Sequence, residues 1–113
     1  MIYLASPYTH KDEAIRTRRF ILARDFVHDK LCQSYIIFSP IVYTHQLAVT
    51  HQMPVEAEFW KFFNEAMLRK ADELWILKID GWEQSLGVLH EIEIAAKLTL
   101  PISYMEPPKY AYF

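Results

Sequence analysis

Glycine is scarce in this chain. Gly81 and Gly87 are the only two, which excludes a phosphate-cradling P-loop and a GxGxxG dinucleotide fingerprint, since both need several glycines at fixed spacing. Any phosphate must be held by other groups. Cys32 stands alone, so no disulfide framework forms within the chain and no cysteine-based zinc site is expected. A lone thiol fits a reducing, cytoplasmic setting. Long apolar runs are missing, so no membrane span is expected. The opening Met1-Ile-Tyr-Leu-Ala lacks the basic stretch and long apolar stretch of a signal peptide. An excess of either charge is missing too: 12 basic and 14 acidic residues leave a formal net charge of −2, which argues against polymeric nucleic acid as a partner.

What is present is an ordinary globular balance. The 113 residues are 52% hydrophobic and 23% charged, which predicts one folded domain rather than a disordered chain. Aromatic residues reach 15%, and many must lie in the core or line a cavity.

The order of elements reads β-α-β-loop-α-β-α-β. A buried strand is expected over 2–5, then a long helix from Lys11 to about Leu31 whose apolar residues form two rows, Ile15-Leu22-Phe26 and Phe20-Val27-Leu31. A second strand is expected over 35–38, halted by Ser39-Pro40. Residues 41–54 read as a loop or a short helical turn. A helix over 55–70, a strand over 73–77, a turn around Asp80-Gly81, a helix over 85–98 and a strand over 102–104 complete the order. Alternating elements with apolar strands imply a parallel sheet covered on both faces. Ligands of such sheets bind beyond the strand C-termini, which here means segments 5–10, 38–45 and 78–87.

One carboxylate stands in an unexpected place. On a wheel of the last helix, Glu91 has Gly87 and Val88 behind it and Ile94 and Ala95 ahead, so it sits inside the apolar arc. Glu93, His90 and Lys97 fall on the opposite, solvated face. Two readings stay open: a glutamate at the edge of the stripe or paired with an arginine, or a catalytic carboxylate able to attack a sugar C1. Ser85 is a good N-cap residue, and Gly87 leaves the first-turn amides open to an anion, although a plain helix cap explains the same residues. Arg16 and Arg19 lie in the inward sector of the first helix near its start. They either grip a phosphate or form surface pairs.

Four segments, IYLASPY at 2–8, FSPIVYTH at 38–45, ADELWIL at 71–77 and GWEQSLGVLHEIEIAAK at 81–97, together resemble the nucleoside 2-deoxyribosyltransferase-like superfamily. SLGVLHE is also similar to the matching segment of 2′-deoxynucleoside 5′-monophosphate N-hydrolases. The resemblance implies a three-layer, Rossmann-like (flavodoxin-like) sheet of four to five strands in a single domain over 1–106, in a homodimer. It implies cleavage of the N-glycosidic bond of a deoxynucleoside or its 5′-monophosphate, a small-molecule substrate, with no metal or organic cofactor. Glu91 would form a covalent deoxyribosyl intermediate, with Tyr3 beside it and Ser85 and Gly87 against the 5′-phosphate. Asn64 stands where the superfamily usually carries an aspartate. An amide cannot donate a proton as a general acid, so Glu65 or a histidine substitutes, turnover is slow, or the protein binds a nucleotide without turnover.

The remaining candidates are the Ser6-Pro7-Tyr8 turn, His45 in the expected loop, His10, and Trp82 as a stacking residue. Trp60 with Phe59 and Phe63 reads as core, Asp72 as a strand start, and Cys32 as inert. The aromatic tail 107–113 is expected to pack on a partner subunit.

Overall fold

In a computed structural model, residues 1–109 are described. The tail residues Tyr110 to Phe113 lie outside the described residues. The chain forms β1 (Ile2–Ala5), α1 (Glu13–Cys32), β2 (Ile37–Phe38), α2 (Pro40–Thr50), α3 (Ala57–Leu68), β3 (Glu73–Leu77), a short 3-10 turn (Trp82–Gln84), α4 (Leu86–Lys97) and β4 (Ile102–Met105). The four strands are all parallel, in the order β2-β1-β3-β4. β1 pairs with β3 from Ile2 opposite Glu73 to Ala5 opposite Ile76.

Alternation along the two central strands divides the core. Ile2, Leu4, Trp75 and Leu77 face Leu22, Ala23, Phe26 and Val27 of α1. Tyr3, Ala5, Leu74 and Ile76 face the other way, onto Leu68 of α3 and Val88, Ile94 and Ala95 of α4. The protein is therefore a three-layer α/β fold with helices on both faces, as the pattern implies. β1 connects to β2 on one side of itself, and the chain then crosses over to β3 on the other. The C-terminal end of β1 is thus the point where strand order reverses.

The largest departure from the sequence reading is the segment after β2. It is not a loop or a short turn but an eleven-residue helix. Ser39 ends the strand and also caps the helix, its Oγ accepting from the Val42 amide at 3.2 Å. Pro40 occupies the first turn, where a missing N–H costs nothing and a fixed φ helps. The same dipeptide that stops a strand starts a helix, and it carries His45 onto α2. β2 is shorter than expected, two residues, and Tyr35 and Ile36 beside it are exposed. α1 begins at Glu13 because Asp12 caps it, accepting from the Ala14 amide. Among the described residues no helix is long and apolar enough to cross a membrane.

Ser39→Ala is expected to lower the unfolding free energy by about 1 kcal/mol through loss of the cap. A urea titration should show an earlier midpoint at unchanged slope, and an unmoved midpoint would contradict the capping role.

Candidate active site

A cavity of about 610 Å³ opens over the C-terminal end of β1, between α2, α3 and α4. Ser6, Tyr8, His45, Asn64, His90 and Glu91 supply most of its chemistry.

Glu91 lies in the second turn of α4, among Val88, Ile94 and Ala95. It is only 8% exposed yet reaches the cavity. The apolar-arc placement is therefore correct, and the reading of a partly exposed glutamate at the edge of the stripe is removed. Its partner is Tyr3, wholly buried in the central strand, whose hydroxyl donates to Glu91 Oε2. Burial pushes the Glu91 carboxyl up to about 8, while the Tyr3 hydrogen bond pulls the other way. Burial also raises the Tyr3 phenol well above its ordinary value, and the charge of Glu91 and the shared hydrogen bond add to this. At neutral pH the carboxyl is therefore mostly protonated.

Two polar atoms of this cavity are buried without a protein partner, Ser6 Oγ and Asn64 Oδ1. An unmade hydrogen bond at a buried group costs about 1–3 kcal/mol. Both residues line the same cavity, with these two atoms shielded just beneath its surface. Asn64 points inward from α3 as its helix face predicts. Trp60, read from the sequence as core, also lines the cavity.

On the α2 side, the Tyr8 hydroxyl and His45 Nδ1 are hydrogen-bonded at 2.7 Å. The His45 ring stacks flat on Phe20, centroids 4.1 Å apart. Burial, then the nearby Arg16 charge, holds His45 below its ordinary value, so the ring is neutral at pH 7. Burial raises the Tyr8 phenol, Arg16 opposing and Glu13 adding. At the start of α4, Ser85 Oγ accepts from the Val88 amide at 3.2 Å, and Ser85 and Gly87 both line the cavity. A Cβ on Gly87 would meet Ala57 Cβ at an ordinary 3.6 Å. Packing alone therefore does not require glycine there.

Four expected site residues are placed elsewhere. Pro7 is fully buried beneath the turn and does not line the cavity. Arg16 and Arg19 do not line it either. Arg16 Nη1 donates to the His10 carbonyl, and Arg19 donates to the carbonyls of Thr9 at 3.0 Å and Asp80 at 3.4 Å. Both arginines tie down the loops around the site. Trp82 packs on Tyr104, centroids 5.6 Å apart, and joins the core on the α3/α4 face. His10 Nδ1 accepts from the Asp12 amide. Cys32 is exposed, with His28 Nε2 3.6 Å from its sulfur.

The residue the wheel misassigned is His90. It does not face solvent alone: it lines the cavity, and its Nε2 meets Glu65 Oε1 of α3. The missed signal is its i−3 and i−4 neighbours, Gly87 and Leu86, which also line the cavity. The rim is completed by Val55 to Glu58 and Lys61. It is latched by Thr9 Oγ1 donating to the Val55 carbonyl at 2.9 Å and Trp60 Nε1 donating to the Pro54 carbonyl at 2.8 Å. Among the described residues no group of three His, Cys, Asp or Glu side chains is placed to hold a metal ion.

Residues 1–107 match the family model described as Domain of unknown function (DUF1937). No curated protein matches the chain.

The raised Glu91 value has a consequence for stability. The folded state binds a proton more tightly than the unfolded chain, whose carboxyl titrates near 4.5. The stabilisation is complete below that value and is lost as pH rises through about 8, and it is on the order of a few kcal/mol. Glu91→Gln should therefore melt higher than the wild type at pH 8.5 and close to it at pH 4.5. Parallel melting curves across that range would show that the carboxyl is not buried as described.

Proposed function

The chain belongs to the DUF1937 family, and from its own cavity we propose that it cleaves the N-glycosidic bond of a 2′-deoxynucleoside or its 5′-monophosphate. The observation that carries this reading is the Glu91 carboxyl, buried at a cavity wall and bonded to Tyr3. A carboxyl kept in apolar surroundings without a cation costs stability, and chemistry is a reason to keep it. In its ionised form, Glu91 attacks C1′, the C1′–N bond breaks, and the electron pair leaves with the base, which takes up a proton. Water then attacks C1′ and frees the Glu91 carboxylate, or a second base does so, giving transfer. Tyr3 orients the carboxyl and favours its ionised form. Asn64 and Ser6 offer hydrogen bonds to sugar hydroxyls.

The α4 start at Ser85 to Gly87 is the natural seat for a 5′-phosphate. With Arg16 and Arg19 engaged by loop carbonyls, Lys61 is, among the described residues, the one lysine or arginine lining the cavity, against Glu56, Glu58 and Glu91. This balance favours a free nucleoside more than the sequence alone does.

A second reading, a non-catalytic binder of a nucleotide or nucleotide-derived signal, draws on Asn64, whose amide has no acidic proton. Base release followed by chromatography separates the two. Each deoxynucleoside and its monophosphate is incubated with the wild type and with Glu91→Gln. Release by the wild type that drops about 10³-fold or more in the variant supports the enzyme. Calorimetric binding with the ligand recovered intact supports the binder.

A homodimer belongs to the same reading. Phe62 of α3 is 86% exposed and Leu86 of α4 is 79% exposed, and the two helices pack side by side. Light scattering should give twice the chain mass, falling to one chain in Phe62→Glu with Leu86→Glu. A monomeric wild type would remove the dimer from the proposal.

A further inference from the structure

We propose that His90, oriented by Glu65, is the proton carrier of this cavity: donor to the departing base and acceptor from the water that resolves the intermediate. The inference rests on the N-glycosidase reading above. A nucleobase leaving C1′ carries away the bond's electron pair, so an acid at the site speeds its departure. Asn64 has no ionisable proton to give. Besides Glu91, the titratable side chains lining the cavity are Tyr8, His45, Glu56, Glu58, Lys61 and His90. Glu56, Glu58 and Lys61 are exposed on the rim. Tyr8 and His45 are bonded to each other, and His45 is pinned on Phe20 with Arg16 opposing its charged form.

His90 has the geometry the others lack. It is half-buried, one residue before Glu91 on α4. Successive helix residues diverge by about 100°, so the two side chains reach the cavity in different directions from α4. Glu65 reaches Nε2 from α3, and a carboxylate on one ring nitrogen sets the ring's orientation and tautomer. Nδ1 has no protein hydrogen-bond partner among the described residues. Glu65 from α3 meets the ring, and Lys61 of α3 and Glu91 of α4 line the same cavity.

The steps balance. As Glu91 closes on C1′, the C1′–N pair passes to the base and the base nitrogen takes the His90 proton, leaving neutral imidazole. Water then attacks C1′, its proton returns to His90, and the bond to Glu91 breaks to restore the carboxylate. His90 is the catalytic residue and Glu65 a positioning residue.

The test compares two leaving groups in the wild type, His90→Ala and Glu65→Gln. One substrate is the deoxynucleoside or monophosphate cleaved fastest. The other is 4-nitrophenyl 2-deoxyriboside, with a 5-phosphate where the nucleotide is preferred; its phenolate departs unprotonated. First-turnover rates are compared throughout, before water resolves the intermediate: His90→Ala should slow base release by about 10²–10⁴-fold and leave the nitrophenol burst within about threefold. Glu65→Gln should show the same selectivity more weakly. Equal losses on both substrates would make the pair a mere brace between α3 and α4, and full base release by His90→Ala would also overturn the proposal. In either case Glu91-dependent cleavage by the wild type leaves the N-glycosidase reading standing. No base release by the wild type from any substrate overturns both.

Discussion

A carboxyl group and a phenol share a hydrogen bond at the seam between the central strand and the last helix, and the rest of the site is arranged around that contact. Tyr3 comes from the most protected strand of the sheet and Glu91 from the arc of α4 that packs on it. Neither side chain can move far without disturbing the core on that face. The carboxyl is held by the fold itself rather than by a loop, and fixed placement of a reacting group is what enzymes exploit in orientation.

This placement trades stability against reactivity. Burial keeps Glu91 protonated at neutral pH, which protects the core from an uncompensated charge. The same burial makes the ionised form a poorly solvated, reactive base once it appears. Around it the polar groups divide into two sorts. Tyr8 and His45 line the cavity already bonded to each other, and the two arginines tie down the loops around it. Ser6 Oγ and Asn64 Oδ1 lack protein partners, and their residues line the cavity.

Much of this was legible from residue order. Apolar strands alternating with helical rows imply the parallel three-layer sheet, and the spacing of Gly87, Val88, Ile94 and Ala95 places Glu91 inward. The errors have common physical roots. Ser39-Pro40 obeys two rules at once, strand stop and helix start, and only the packing of α2 shows that the second prevails. Arg16 and Arg19 do lean toward the site, but a wheel cannot tell a ligand from a backbone carbonyl as their acceptor. His90 was sorted by polarity onto the wet face, whereas its partner Glu65 lies on a different helix, and contacts between helices leave no mark on the periodicity of either. Glu91, Ser85 and Gly87 lie at the cavity wall, and Tyr3 is hydrogen-bonded directly behind Glu91.

The segment joining α2 to α3 is fastened across the mouth by two hydrogen bonds, from Thr9 and from the Trp60 indole. Each is worth only about 0.5–1.5 kcal/mol net, and surface loops of this kind move in nanoseconds to microseconds. The entrance is thus fastened by two weak bonds at its edge, whereas Glu91 is set in the core between β1 and α4, so the mouth can shift without moving the carboxyl.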